Sequence, residues 1–150
     1  MAPLRQPWSD ERGSELIEFA VVLPLLLLIL TGVIDFGLLF QRYHVITNAA
    51  REGARVAVLP GYTDDDVEER VDQFLVAAGL TGSATTTVGA PQPIAVGAQC
   101  IIVRPVTVAY PYTYSAVGAV ASYFDGTGFS RSGLQATAAM RSELSAGVCS

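Results

Sequence analysis

Glu18 stands at the edge of a long apolar run, in "RGSELIEFAVVLPLLLLIL" (12–30). It lies one residue before Phe19 and five after Gly13. An unpaired carboxylate costs on the order of 3 kcal/mol at the centre of a bilayer and less at its edge. Its position therefore asks either for hydration among headgroups or for a cationic partner. Other reactive residue types are sparse. His44 is the only histidine, and no companions stand at metal-ligand spacing around it. "GFSRSG" (128–133) approaches a nucleophile elbow, but Ser132 replaces the required glycine. Asp64, Asp65 and Asp66 with Glu68 and Glu69 lack the alternating order of a calcium loop and read as a solvated helix start. No glycine-rich phosphate loop follows an expected strand. The chain is read as no enzyme, with no cofactor and no metal.

The bulk numbers point to a membrane anchor joined to one modest domain. Of 150 residues, 51% are hydrophobic, and the mean hydropathy is +0.41. That is high for a soluble domain and low for a chain that crosses a membrane many times. A net charge of -5 leaves no basic surface to replace phosphate counterions, so nucleic acid is excluded as a partner. Cys100 and Cys149 both follow the apolar run. Outside the cytoplasm such a pair can form a disulfide; in the cytosol it would stay reduced.

Residues 1–13, "MAPLRQPWSDERG", read as a short flexible leader. Phe19 to Phe40 carries one formal charge, Asp35, and spans about 33 Å as a helix, enough to cross a bilayer core. A secretory signal would need a small-residue cleavage site after the run, and "TGVIDFGLLFQRYH" offers none. Asp35 lies near the outer end, either hydrated at the interface or in polar contact with a partner helix. The helix is expected to continue through "QRYHVITNAAREGARVAVL" until Leu59-Pro60-Gly61 stops it. Asn48, Arg51, Glu52 and Arg55 share one face; Ile46, Ala50, Gly53 and Ala57 share the other. Ala49, Gly53 and Ala57 recur every fourth residue, so a backbone can approach closely, from a partner or from the chain's own domain.

A second helix is expected in "YTDDDVEERVDQFLVAAGL". Thr63 caps it with Asp66, and Val67, Val71, Phe74 and Ala78 form its buried stripe. "SATTTV", "AQCIIVRPVTVAY" and "LQATAAMRSEL" are strand candidates, with Pro105 marking an edge or bulge. Residues 111–132 read as a long connection. If the strand near Cys100 runs antiparallel to that of 134–144, Cys149 comes close to Cys100, and the two are expected to pair.

"RGSELIEFAVVLPLLLLILTGVIDFG" followed by "NAAREGARVAV" resembles the TadE-like family, minor pilins or pseudopilins of the Flp (tight-adherence, Tad) pilus systems. The likeness is dense from Gly13 to about Val58, and "ATAAMRSE" (136–143) is similar to the end of the family's small domain. The resemblance implies that a prepilin peptidase cuts on the cytoplasmic side between Gly13 and Ser14. Glu18 would then be the fifth mature residue, followed by Phe19. It would neutralise the new amine of a neighbouring subunit, a group with an ordinary pKa of about 7.7–8.0. The arginine count does not support this orientation, because Arg5 and Arg12 precede the anchor while Arg42, Arg51 and Arg55 follow it. Long downstream domains translocate largely regardless of charge, so the rule is weak here.

The expected architecture is α+β: a long N-terminal transmembrane helix continuing into a small pilin-like domain with a second helix and a small antiparallel sheet. Residues 1–13 are the leader, 14–58 the TadE-like segment with its transmembrane part at about 19–40, and 59–150 the extracytoplasmic domain. The expected partners are a prepilin peptidase, other Flp/Tad pilins, inner-membrane assembly components and the lipid bilayer. The expected location is the cytoplasmic membrane, single-pass, with the N-terminus inside. A signal-anchored binding module unrelated to pili is the alternative, and a membrane-tethered enzyme would need a constellation hidden in 81–132.

Overall fold

The computed structural model describes residues 11–147, apart from 83, 98, 115–116 and 119–130. Helix α1 (Glu11–Ala57) is continuous through Pro24. It begins inside the expected leader, so Gly13 is helical. Helix α2 (Asp64–Ala77) is started by Thr63 and Asp66, whose side chains and backbone N–H groups bond each other reciprocally. Three aspartates in its first turn suit the positive end of the helix dipole. Val67, Val71 and Leu75 are its buried residues. Phe74 is half-buried and Ala78 exposed. The expected stripe therefore drifts by one residue: the 3.6-residue period carries the inner face from Val71 to Leu75.

The sheet has four strands: β1 (Thr85–Val88), β2 (Gln92–Val96), β3 (Gln99–Thr113) and β4 (Arg131–Gly147). All pairings are antiparallel to β3. β4 takes one edge of β3 along its length, while β1 pairs with 106–109 and β2 with 99–103. β1 and β2 thus lie end to end as one broken rail, interrupted at Gly89–Pro91. Pro105 is therefore at no bulge, but at a locally open edge of β3. It faces that interruption, where no neighbouring strand needs its missing N–H, and its carbonyl accepts from the Gly89 N–H at 2.8 Å. The bulge falls between Cys100 and Ile102. The expected connection 111–132 is shorter at both ends, because 111–113 extend β3 and 131–132 begin β4. The rest of that stretch lies mostly outside the described residues.

The core lies between the second half of α1, α2 and one face of the sheet. Val106, Val108, Tyr110 and Tyr112 alternate along β3 into it. Leu134 and Ala136, paired with Tyr110 and Val108, continue that face on β4. Opposite them α1 presents Ile46, Ala49, Ala50, Gly53, Ala54 and Ala57, all buried. The small residues bring the helix axis close to the sheet. The architecture is the expected α+β one, a long apolar N-terminal helix with a second helix and a small antiparallel sheet.

Candidate functional site

Two regions of α1 carry the residues singled out from the sequence. The first is its N-terminal end. Ser14, Glu18 and Phe19 are all exposed there. Ser14 and Glu18 are four residues apart on a helix, so they lie on one face, one turn apart. Beyond them the helix is long and apolar enough to cross a membrane, and none of its apolar window is buried against the described chain. A glycine in a helix costs about 1 kcal/mol relative to alanine, so Gly13 is a weak point at which this end can unwind.

The second region starts at Asp35, which is 1% exposed. Its Oδ2 accepts from the Val117 N–H at 2.7 Å, and the Tyr112 hydroxyl donates to its backbone carbonyl at 3.2 Å. Neither sequence alternative describes this. The chain's own domain covers the carboxylate. Tyr112 and Tyr114 pack edge to face with centroids 5.1 Å apart. The Arg42 guanidinium lies 5.1 Å from the Tyr112 ring centre. Burial pushes the Tyr112 hydroxyl above its ordinary pKa, and the Asp35 charge adds to that. No local signal in the sequence announced Val117 or Tyr112 as partners, since both lie more than 70 positions away.

The small face of α1 has its partner inside the chain. A Cβ on Gly53 would stand 2.6 Å from Val71 Cγ2 and 3.2 Å from Val106 Cγ1. Gly53 is thus the point where α1, α2 and β3 meet, and Ala49 and Ala57 are buried one turn to either side. On the outer face Glu52 accepts from Arg70 at 2.8 Å and from Arg55 at 3.1 Å. The Arg70 bond, then the Arg55 bond, hold its carboxyl below the usual range. Arg104, which the sequence reading passed over, donates to the Ala57 carbonyl at 3.2 Å and pairs with Asp64. It joins the negative end of α1, the start of α2 and the middle of β3. A charged residue inside an otherwise apolar strand was the available signal.

Cys100 is buried and disulfide-bonded. The register sets it opposite Gly147; Cys149 lies outside the described residues. Among the described residues no three His, Cys, Asp or Glu side chains gather as a metal site.

An exposed apolar half with Gly13 and Glu18 at its tip, joined to a half buried along small residues, is the arrangement carried by the opening motif. Residues 13–55 match the TadE-like protein family. The match covers the TadE-like helix almost to its end at Ala57 and stops before α2 and the sheet. It links the chain to a pilus-associated family, and the helix fits a single-pass membrane anchor. No curated protein and no solved structure matches the chain.

Proposed function

We propose that this protein is a minor pilin or pseudopilin of a Tad pilus system, acting by assembly and without catalysis. The observation that carries the reading is the TadE-like match falling on one helix whose exposed apolar half begins at Gly13 and Glu18. In this reading the N-terminus is cytoplasmic, α1 crosses the cytoplasmic membrane, and the α+β domain is outside. A prepilin peptidase hydrolyses the Gly13–Ser14 bond once that turn unwinds, leaving a free amine on Ser14. Glu18 supplies the counter-charge when the amine of a neighbouring pilin leaves the headgroup layer for a packed bundle, where an unpaired charge is expensive. Other Flp/Tad pilins and inner-membrane assembly components are the partners. Outside the cytoplasm, Cys100 pairs with Cys149.

Sequencing the mature N-terminus is the test. Ser14 as first residue is expected, and Gly13→Val should leave the precursor uncut. A mature chain that keeps residues 1–13 would favour the anchored binding module instead. Glu18→Gln should still be cut but should co-purify less with other pilins. If it is cut and associates like the native chain, Glu18 is only a hydrated interfacial residue.

A further inference from the structure

Where the domain ends along α1 fixes where lipid can begin. From Phe19 to Ile34 only Thr31 has a polar side chain, and its hydroxyl donates to the Leu28 carbonyl at 3.0 Å, inside the helix. Hydrocarbon tolerates such a segment. From Asp35 onward one face of α1 carries the domain: Asp35 holds Val117, Leu39 is half-buried against the core, and Arg42 lies over Tyr112. The domain's end at this level, where β3 closes at an exposed Thr113, includes Tyr114, whose backbone groups belong to neither ladder nor helix. Hydrocarbon excludes such groups. The adjoining face of α1, about 100° round the helix, shows Phe36, Phe40 and Tyr43, each more than two-fifths exposed and spaced i, i+4, i+7. Aromatic side chains at that spacing, directly above an apolar run, suit the headgroup layer.

Length provides an independent argument. Asp35 to Gly13 is about 33 Å at the helical rise, and a bilayer's hydrocarbon is about 30 Å thick. With the outer boundary at Ile34, Glu18 falls about 6 Å inside the inner boundary and the Gly13–Ser14 bond just beyond it.

We propose that the domain, fastened to α1 at Asp35, is a depth stop resting on the outer headgroup layer, which holds the Gly13–Ser14 bond at the opposite membrane boundary. The inference rests on the reading of α1 as a membrane-spanning helix. It moves the outer boundary inward from the Phe40 expected from hydropathy to Ile34.

The test uses the full chain in phosphatidylcholine–phosphatidylglycerol vesicles, with its disulfide intact. Nitroxide labels are placed singly through Leu28→Cys, Phe36→Cys, Phe40→Cys and Tyr43→Cys, and collision with oxygen is compared with collision with a water-soluble nickel chelate. Leu28 should report hydrocarbon, Phe36 the crossing, and Tyr43 water. Asp35→Asn weakens the contact with Val117, and Val117→Pro removes its N–H donor. In either background the crossing should shift toward Phe40 by about one helical turn, roughly 5 Å. A crossing at Phe40 in the native chain, or one that neither substitution moves, overturns the depth stop while leaving the spanning helix intact. A label at Leu28 that reports water removes the spanning reading itself.

Discussion

Helix α1 lies in two different surroundings, and its composition changes where they meet. From Ser14 to Ile34 large apolar side chains point in every direction, and the place a Cβ would take on the glycine there, Gly32, meets nothing within 4 Å beyond its chain neighbours and the helix's own backbone. From Asp35 to Ala57 the same helix is two-faced. Alanine and glycine line the inside, and Arg51, Glu52 and Arg55 line the outside. A helix surrounded by lipid needs apolar bulk but no fitted neighbour, whereas a helix against a sheet needs shape. Gly32 and Gly53 therefore differ in role although both sit in one unbroken helix.

The strongest way to separate the halves is to loosen only one. On the proposed pairing with Cys149, replacing Cys100 by serine opens a loop of about 50 residues and should cost the domain roughly 4 kcal/mol in the chain-entropy model. Near-ultraviolet dichroism and thermal melting in micelles should lose the domain transition, while the far-ultraviolet signal of the apolar half persists. Native protein should also yield a disulfide-linked peptide pair carrying Cys100 and Cys149; free thiols on both would remove that pairing.

Gly53→Leu comes next. Its Cβ alone would overlap Val71, and overpacking a core costs about 1–3 kcal/mol, with leucine at the upper end. Gly32→Leu should leave domain stability unchanged by the same denaturation assay. Equal effects would abolish the distinction between the two halves.

The smallest effect lies on the outer face. Glu52 is held ionised by Arg70 and Arg55, so its carboxyl titrates lower in the folded chain than in the unfolded one. Its contribution is present above the unfolded value, near 4.5, and is lost as pH falls through the lower folded value. Both arginines are substantially exposed, so Glu52→Gln should cost less than about 1 kcal/mol at pH 7. The gap between mutant and native chain in urea titrations should narrow as pH falls below about 4.5. A gap that persists in acid would mean that Glu52 acts by packing.

The sequence made some of this legible because the signals were local. The apolar run, the Thr63–Asp66 cap and the alternating β3 each declare themselves within a few residues. β2 did not. Gln92–Val96 contains Pro93, follows Pro91, and is exposed at every position, so it shows neither alternation nor a clean boundary. The partner of the small face was undetermined for a different reason: periodicity shows that something approaches Gly53 and cannot say that it is Val71 and Val106. Asp35 is the extreme case, since its coverage comes from Tyr112 near the end of β3 and from Val117 beyond it. The stripe expected on α2 ran through Phe74 and Ala78, whereas Leu75 is the buried position, because a half-buried Phe74 looked from sequence like the centre of the face rather than its rim.

The interruption at Gly89–Pro91 also affects how copies of the chain meet one another. A sheet edge is a row of open donors and acceptors on which a foreign strand can zip. Along the β1–β2 side the row is only four residues long before the break and five after it, and Pro93 withholds one donor from the second piece. An incoming strand gains few consecutive bonds before it must bend. Along this side of the sheet the break discourages edge-to-edge pairing.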